Sequence, residues 1–130
     1  MFLSSLDDES KRNFLELAYK LAVSDNDYSE SENDILNSFE SEMGVTEIPD
    51  TSTVDDLIAY FSRKDLTVQR IVWLELYGMI MADDKITNEE QEIRSKIEKQ
   101  FTLQKEDFEK ISKAADDLKN VYAEIYHAIL

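Results

Sequence analysis

The sequence predicts an all-α fold of about seven helices, with a four-helix core built from two repeated helical hairpins. Three observations predict it. Apolar residues recur at helical spacing in almost every segment. Nowhere do six residues alternate cleanly, as a half-buried strand requires. At a fixed offset of 58 residues, the first half of the chain also resembles the second.

The elements follow in order. Phe14, Leu17, Ala18, Leu21 and Ala22 form the stripe of a first helix. Ile35, Phe39 and Met43 form that of a second, with Gly44 placed as its left-handed cap. Val45–Ser52 holds the only proline, Pro49, and reads as a loop. A third helix over roughly 53–63 carries Val54, Leu57, Ile58 and Phe61, with Asp55 and Asp56 as first-turn acids. Asp65 is the expected cap of a fourth helix over 66–82. That segment is apolar nearly all round, which places it at the centre of the bundle. Gly78 within it lowers helix propensity and suggests a close helix approach. Ile93, Ile97 and Phe101 mark a fifth helix. A sixth starts near Gln104 and turns Phe108, Ile111 and Ala115 inward. Asp116 and Asp117 read as a hinge before a seventh helix, striped by Leu118, Val121, Tyr122, Ile125 and Ile129. Tyr122 and Tyr126, one turn apart, are expected to pack.

Length and composition limit what the chain is for. A chain of 130 residues, 42% apolar, is expected to form one domain over residues 1–130 with its own core. Without cysteine it has no disulfide, thiolate metal site or thiol nucleophile. The first residues lack a basic and then apolar leader pattern. The longest apolar run, Ile71–Ala82, is interrupted by Glu75 and is too short for a membrane span. A cytoplasmic protein is expected. With 29 acids against 14 bases, the net charge of −15 repels phosphate backbones and argues against nucleic-acid binding. The same charge attracts cations and basic protein surfaces.

In the repeat, Tyr19 aligns with Tyr77, Asp25 with Asp83, Glu32 with Glu90, Ile35 with Ile93 and Glu40 with Glu98. Each copy is an apolar helix, an acidic turn and an amphipathic helix. The segments "LAVSDNDYSESENDILNSFESEMGV" and "MIMADDKITNEEQEIRSKIEKQFTL" resemble the tellurite-resistance TerB-like family, which carries an A-D-G-x-I-x-x-x-E pattern between two helices, twice. The resemblance covers about residues 14–46 and 72–105. Asn26 and Asp84 stand where the family has glycine; both tolerate left-handed backbone better than other side chains. The resemblance implies an all-α fold with a four-helix centre and an acidic surface suspected of holding divalent metal. It also implies a place in bacterial tellurite or stress response. By motif position its candidate residues are Asp25, Glu32, Asp83 and Glu90.

The acidic turns have two readings. As structure, Ser29 with Glu32 and Thr87 with Glu90 are capping boxes, and Tyr28 and Ile86 are positioned to staple onto the helices that follow. As a metal site, Asp25, Asp27, Ser29 and Glu32 begin like a calcium loop. Glu30 and Leu36 then occupy the places of its glycine and its bidentate glutamate, so the turn is not an EF-hand. Lys85 puts an ammonium into the second turn. The metal candidates are Asp25, Asp27, Glu32, Asp83, Asp84 and Glu90, and the cation they suit is calcium or magnesium rather than zinc. His127, the only histidine, lacks a motif that would supply a nucleophile and an orienting group.

The expected function is non-enzymatic: a binding or scaffold module whose partners are proteins with basic surfaces. The rival is a neutralising protein, an immunity protein or nucleic-acid mimic, that covers one basic partner.

Overall fold

The structure, a computed structural model, describes residues 1–24, 30–82 and 85–130. Among these residues it has a 3-10 turn, Leu3–Ser5, six α-helices and no strand. The helices are α1 (Asp8–Ala22), α2 (Glu30–Met43), α3 (Val54–Ser62), α4 (Leu66–Ile80), α5 (Asn88–Gln100) and α6 (Lys105–Ile129). None of the described helices is long and apolar enough to cross a membrane.

Local chemistry sets most of these boundaries. Asp7 accepts the Ser10 amide at 2.7 Å and starts α1. Thr53, Asp65 and Thr87 accept the amides of Asp56, Val68 and Glu90 in the same way and start α3, α4 and α5. Helix α2 stops at Gly44, whose φ of +69° suits a residue without Cβ. There the amides of Gly44 and Val45 both donate to the Glu40 carbonyl.

Among the described residues the expected count of seven helices is corrected to six. The expected hinge at Asp116–Asp117 does not exist, and α6 runs unbroken to Ile129. Aspartate is a poor helix former, but two of them lower propensity far less than a glycine or proline break. Both are also engaged. Asp117 pairs with Lys113 one turn back at 2.7 Å, and Asp116 accepts the Tyr77 hydroxyl from α4.

Helices α1 and α2 pack together as the first expected hairpin, and α1 also meets α3 and α4. In the second repeat the pairing differs: α4 lies chiefly along α6, and α5 along α3. Trp73, Phe14 and Phe61 are the largest side chains wholly withdrawn from solvent. Phe14 meets Phe39 edge to face at 5.1 Å, and Trp73 meets Phe108 the same way at 5.0 Å. Among the polar side chains buried in this interior are Glu16 and Gln69. Glu16 on α1 accepts the amides of Thr51 and Ser52, and Gln69 on α4 bridges two turns.

Gly78 corrects another expectation. It is exposed, and a Cβ built on it meets nothing within 4 Å, so no helix approaches closely there. The glycine then only weakens α4. Gly78→Ala is expected to raise the unfolding free energy by about 1 kcal/mol, read as a higher urea midpoint at unchanged slope.

Candidate functional site

Of the six metal candidates, Asp25, Asp27, Asp83 and Asp84 lie outside the described residues, as do Ser29 and Tyr28. Glu32 and Glu90 are both buried, in the first turns of α2 and α5. A carboxylate there faces the positive end of the helix dipole. Thr87 Oγ1 accepts the Glu90 amide at 3.1 Å and lies 3.2 Å from the Glu90 carboxylate, so this residue serves the start of its own helix. Ile86, expected to staple onto α5, is 41% exposed. Among the described residues no three carboxylate, histidine or cysteine side chains gather where a metal could sit.

The amino terminus makes a tight polar contact. The Met1 ammonium donates to Glu42 at 2.7 Å and to Glu75 at 2.8 Å, and the Leu3 amide donates to Glu42. Partial burial on its own lowers the affinity of this amine for its proton. The two carboxylates prevail, and the group titrates above its ordinary value. These contacts tie the 3-10 turn to α2 and α4.

A cleft of 630 Å³ lies between α4, α5 and α6. Arg94 on its wall stands over the rings of Trp73 and Tyr77, at 5.8 and 5.5 Å. Arg94, Lys105 and Lys113 are matched there by Glu98, Glu109 and Asp116, so the walls present no net charge to a ligand.

The feature that stands apart is the seam between α4 and α6. The two helices run parallel. Trp73 Nε1 donates to Ser112 Oγ at 3.1 Å, the Tyr77 hydroxyl donates to Asp116 at 2.8 Å, and Lys119 Nζ donates to the Met81 carbonyl at 2.7 Å. Burial, then the Asp116 carboxylate, pushes the Tyr77 phenol above its usual range, against the pull of Arg94. On α6 the seam is a heptad stripe: Phe108, Ile111, Ala115, Leu118, Tyr122, Ile125 and Ile129 follow alternating steps of three and four. Its first three members pack against the core. Helix α4 ends at Ile80, and the stripe continues past it. Leu118, Tyr122, Ile125 and Ile129 are 38%, 60%, 48% and 75% exposed. An apolar groove of 520 Å³ opens where the two helices part, lined in part by Leu74, Gly78, Met81, Leu118 and Tyr122.

The packing expected of Tyr122 and Tyr126 is therefore absent: both rings are exposed, as is His127 beside them. The stripe itself was visible in the sequence. That α4 covers only half of it was not, because helical period shows a face and not what lies against it.

Comparison of the chain with protein-family models, with curated proteins and with solved structures finds no match to any of them.

Proposed function

We propose that this chain is a non-enzymatic protein-binding module, a scaffold or sensor of the TerB-like kind acting in a bacterial stress response. One observation carries the binding role: the second half of α6 holds an apolar heptad face away from the core that covers its first half. A contiguous apolar surface of this kind marks an interaction site, because its exposure to water is unfavourable until a partner covers it. The TerB-like part of the proposal rests on the repeated residues around Asp25, Glu32, Asp83 and Glu90.

The test is photocrosslinking in cells that produce the protein. A photoreactive residue replaces Val121, beside the stripe, or Lys110, an exposed position earlier on the same helix. Discrete adducts from position 121, absent from position 110, are the expected result. No adduct from 121, or the same adducts from both sites, rejects a binding role for this face.

The charge of −15 supports a second reading, the neutralising protein that covers a basic partner. Its complex would weaken steeply with salt and would survive Ile125→Asp, because its contacts lie on the acidic body.

A further inference from the structure

We propose that the uncovered half of α6 pairs with the same segment of a second copy of this chain, antiparallel, to form a symmetric dimer. The inference rests on the binding role proposed for this face and names its occupant.

Charge selects a second copy over a basic partner. Residues 118–130 contain one acid, Glu124, and one base, Lys119, so the whole charge of −15 resides in residues 1–117. A basic protein is drawn to that acidic body and not to a neutral, apolar end. A neutral seam meets its own copy without repulsion. Charge also selects the direction. Parallel pairing sets two strongly acidic bodies side by side, whereas antiparallel pairing holds them at opposite ends of the seam.

The register follows from the stripe. With the two-fold axis between Ala123 and Glu124, Leu118 faces the second copy's Ile129, and Tyr122 faces its Ile125. By symmetry the other two layers repeat these. Each is a pairing of a heptad a position with a d position, as two-stranded antiparallel seams require. In this register the end of the second copy's helix returns to the level of Leu118 and Met81. That is the mouth of the 520 Å³ groove, which then receives Ile129 and Leu130. The exposed Gly78 leaves that groove open.

The area is sufficient. Seven exposed apolar residues from Leu118 to Leu130, each offering on the order of 100 Å², supply about 700 Å² per copy. Stable interfaces bury roughly 600–1,000 Å² on each partner, and about 700 Å² falls within that range.

The test is sedimentation equilibrium of the purified full chain, up to hundreds of micromolar. The expected species has twice the 15.1 kDa chain mass. Its dissociation constant falls as salt rises, because salt screens repulsion between the acidic bodies. Ile125→Asp weakens association roughly 100-fold, since symmetry places the change in the seam twice. Its helical circular dichroism stays unchanged, because Ile125 is already exposed in the single chain. Direction is read by oxidation, which the absence of natural cysteine makes clean. A mixture of Leu118→Cys and Ile129→Cys chains forms a mixed disulfide dimer, and neither variant alone crosslinks efficiently. A monomer at all concentrations overturns the proposal, as does a dimer that Ile125→Asp leaves intact or one crosslinked efficiently by a single variant. A monomer that still gives discrete adducts with another protein from position 121 would sink the dimer and leave the binding role standing. With no adduct as well, both fall.

Discussion

Replacing Gln69 with leucine is expected to lower the unfolding free energy by about 2–5 kcal/mol, read from urea denaturation with an unchanged slope. Gln69 is fully buried on α4. Its amide nitrogen donates to the Lys64 carbonyl at 2.9 Å and to Thr102 Oγ1 at 2.8 Å, with the Ser62 carbonyl at 3.3 Å. Its oxygen accepts the Thr102 amide at 2.8 Å. One side chain thus satisfies the turn between α3 and α4 and the turn between α5 and α6. Leucine has similar bulk and no polar atom, so packing is kept while the Lys64 carbonyl and Thr102 amide lose a partner. Both hydrogen bonds are part-buried, and each group left unpaired costs about 1–3 kcal/mol. Gln91→Leu on the exposed side of α5 serves as the control and should change stability by less than about 0.5 kcal/mol. An equal effect at the two positions would show that the Gln69 bridge contributes nothing.

What was legible in the sequence is what acts over one helical turn. Asp65, Thr87 and Gly44 are legible as caps because a cap and its amide or carbonyl partner lie within a few residues. The stripes of α1 to α5 were legible for the same reason. Gln69 and Glu16 are not legible in this way, because each has the sequence pattern of a surface residue of its helix. Their partners, Thr102 and Ser52, lie 33 and 36 residues away. The false hinge at Asp116 has a related cause. An Asp-Asp pair suggests a boundary locally, and only the Tyr77 hydroxyl from another helix explains an acid at that point. On α6 the sequence showed an apolar face, and only the fold shows that α4 stops short of its second half. For the acidic turns, the local pattern accounts for Thr87 and Glu90 as the start of α5.

Removing the carboxylate of Glu16 should have the larger effect. Glu16 is fully buried on α1, yet its Oε2 accepts the Ser52 amide at 2.7 Å and the Thr51 amide at 3.2 Å. These amides immediately precede Thr53, the cap of α3, so the carboxylate also faces the positive end of that helix. It fixes the end of the loop over 45–52 at the angle from which α3 enters the core. Hydrogen bonds to a charged group contribute about 1.5–3 kcal/mol each, so Glu16→Ala is expected to cost about 3–5 kcal/mol. Glu16→Gln keeps an acceptor oxygen of the same reach and should cost less than half as much. The distinguishing measurement is amide hydrogen exchange at Ser52. In Glu16→Ala its protection should fall to that of an open loop, while amides in the middle of α4 lose protection only by the global change in stability. In Glu16→Gln the Ser52 amide should remain slow. If Ser52 exchanged equally fast in both variants, the acceptor would not be what holds the loop, and the loss in Glu16→Ala would be one of packing volume alone.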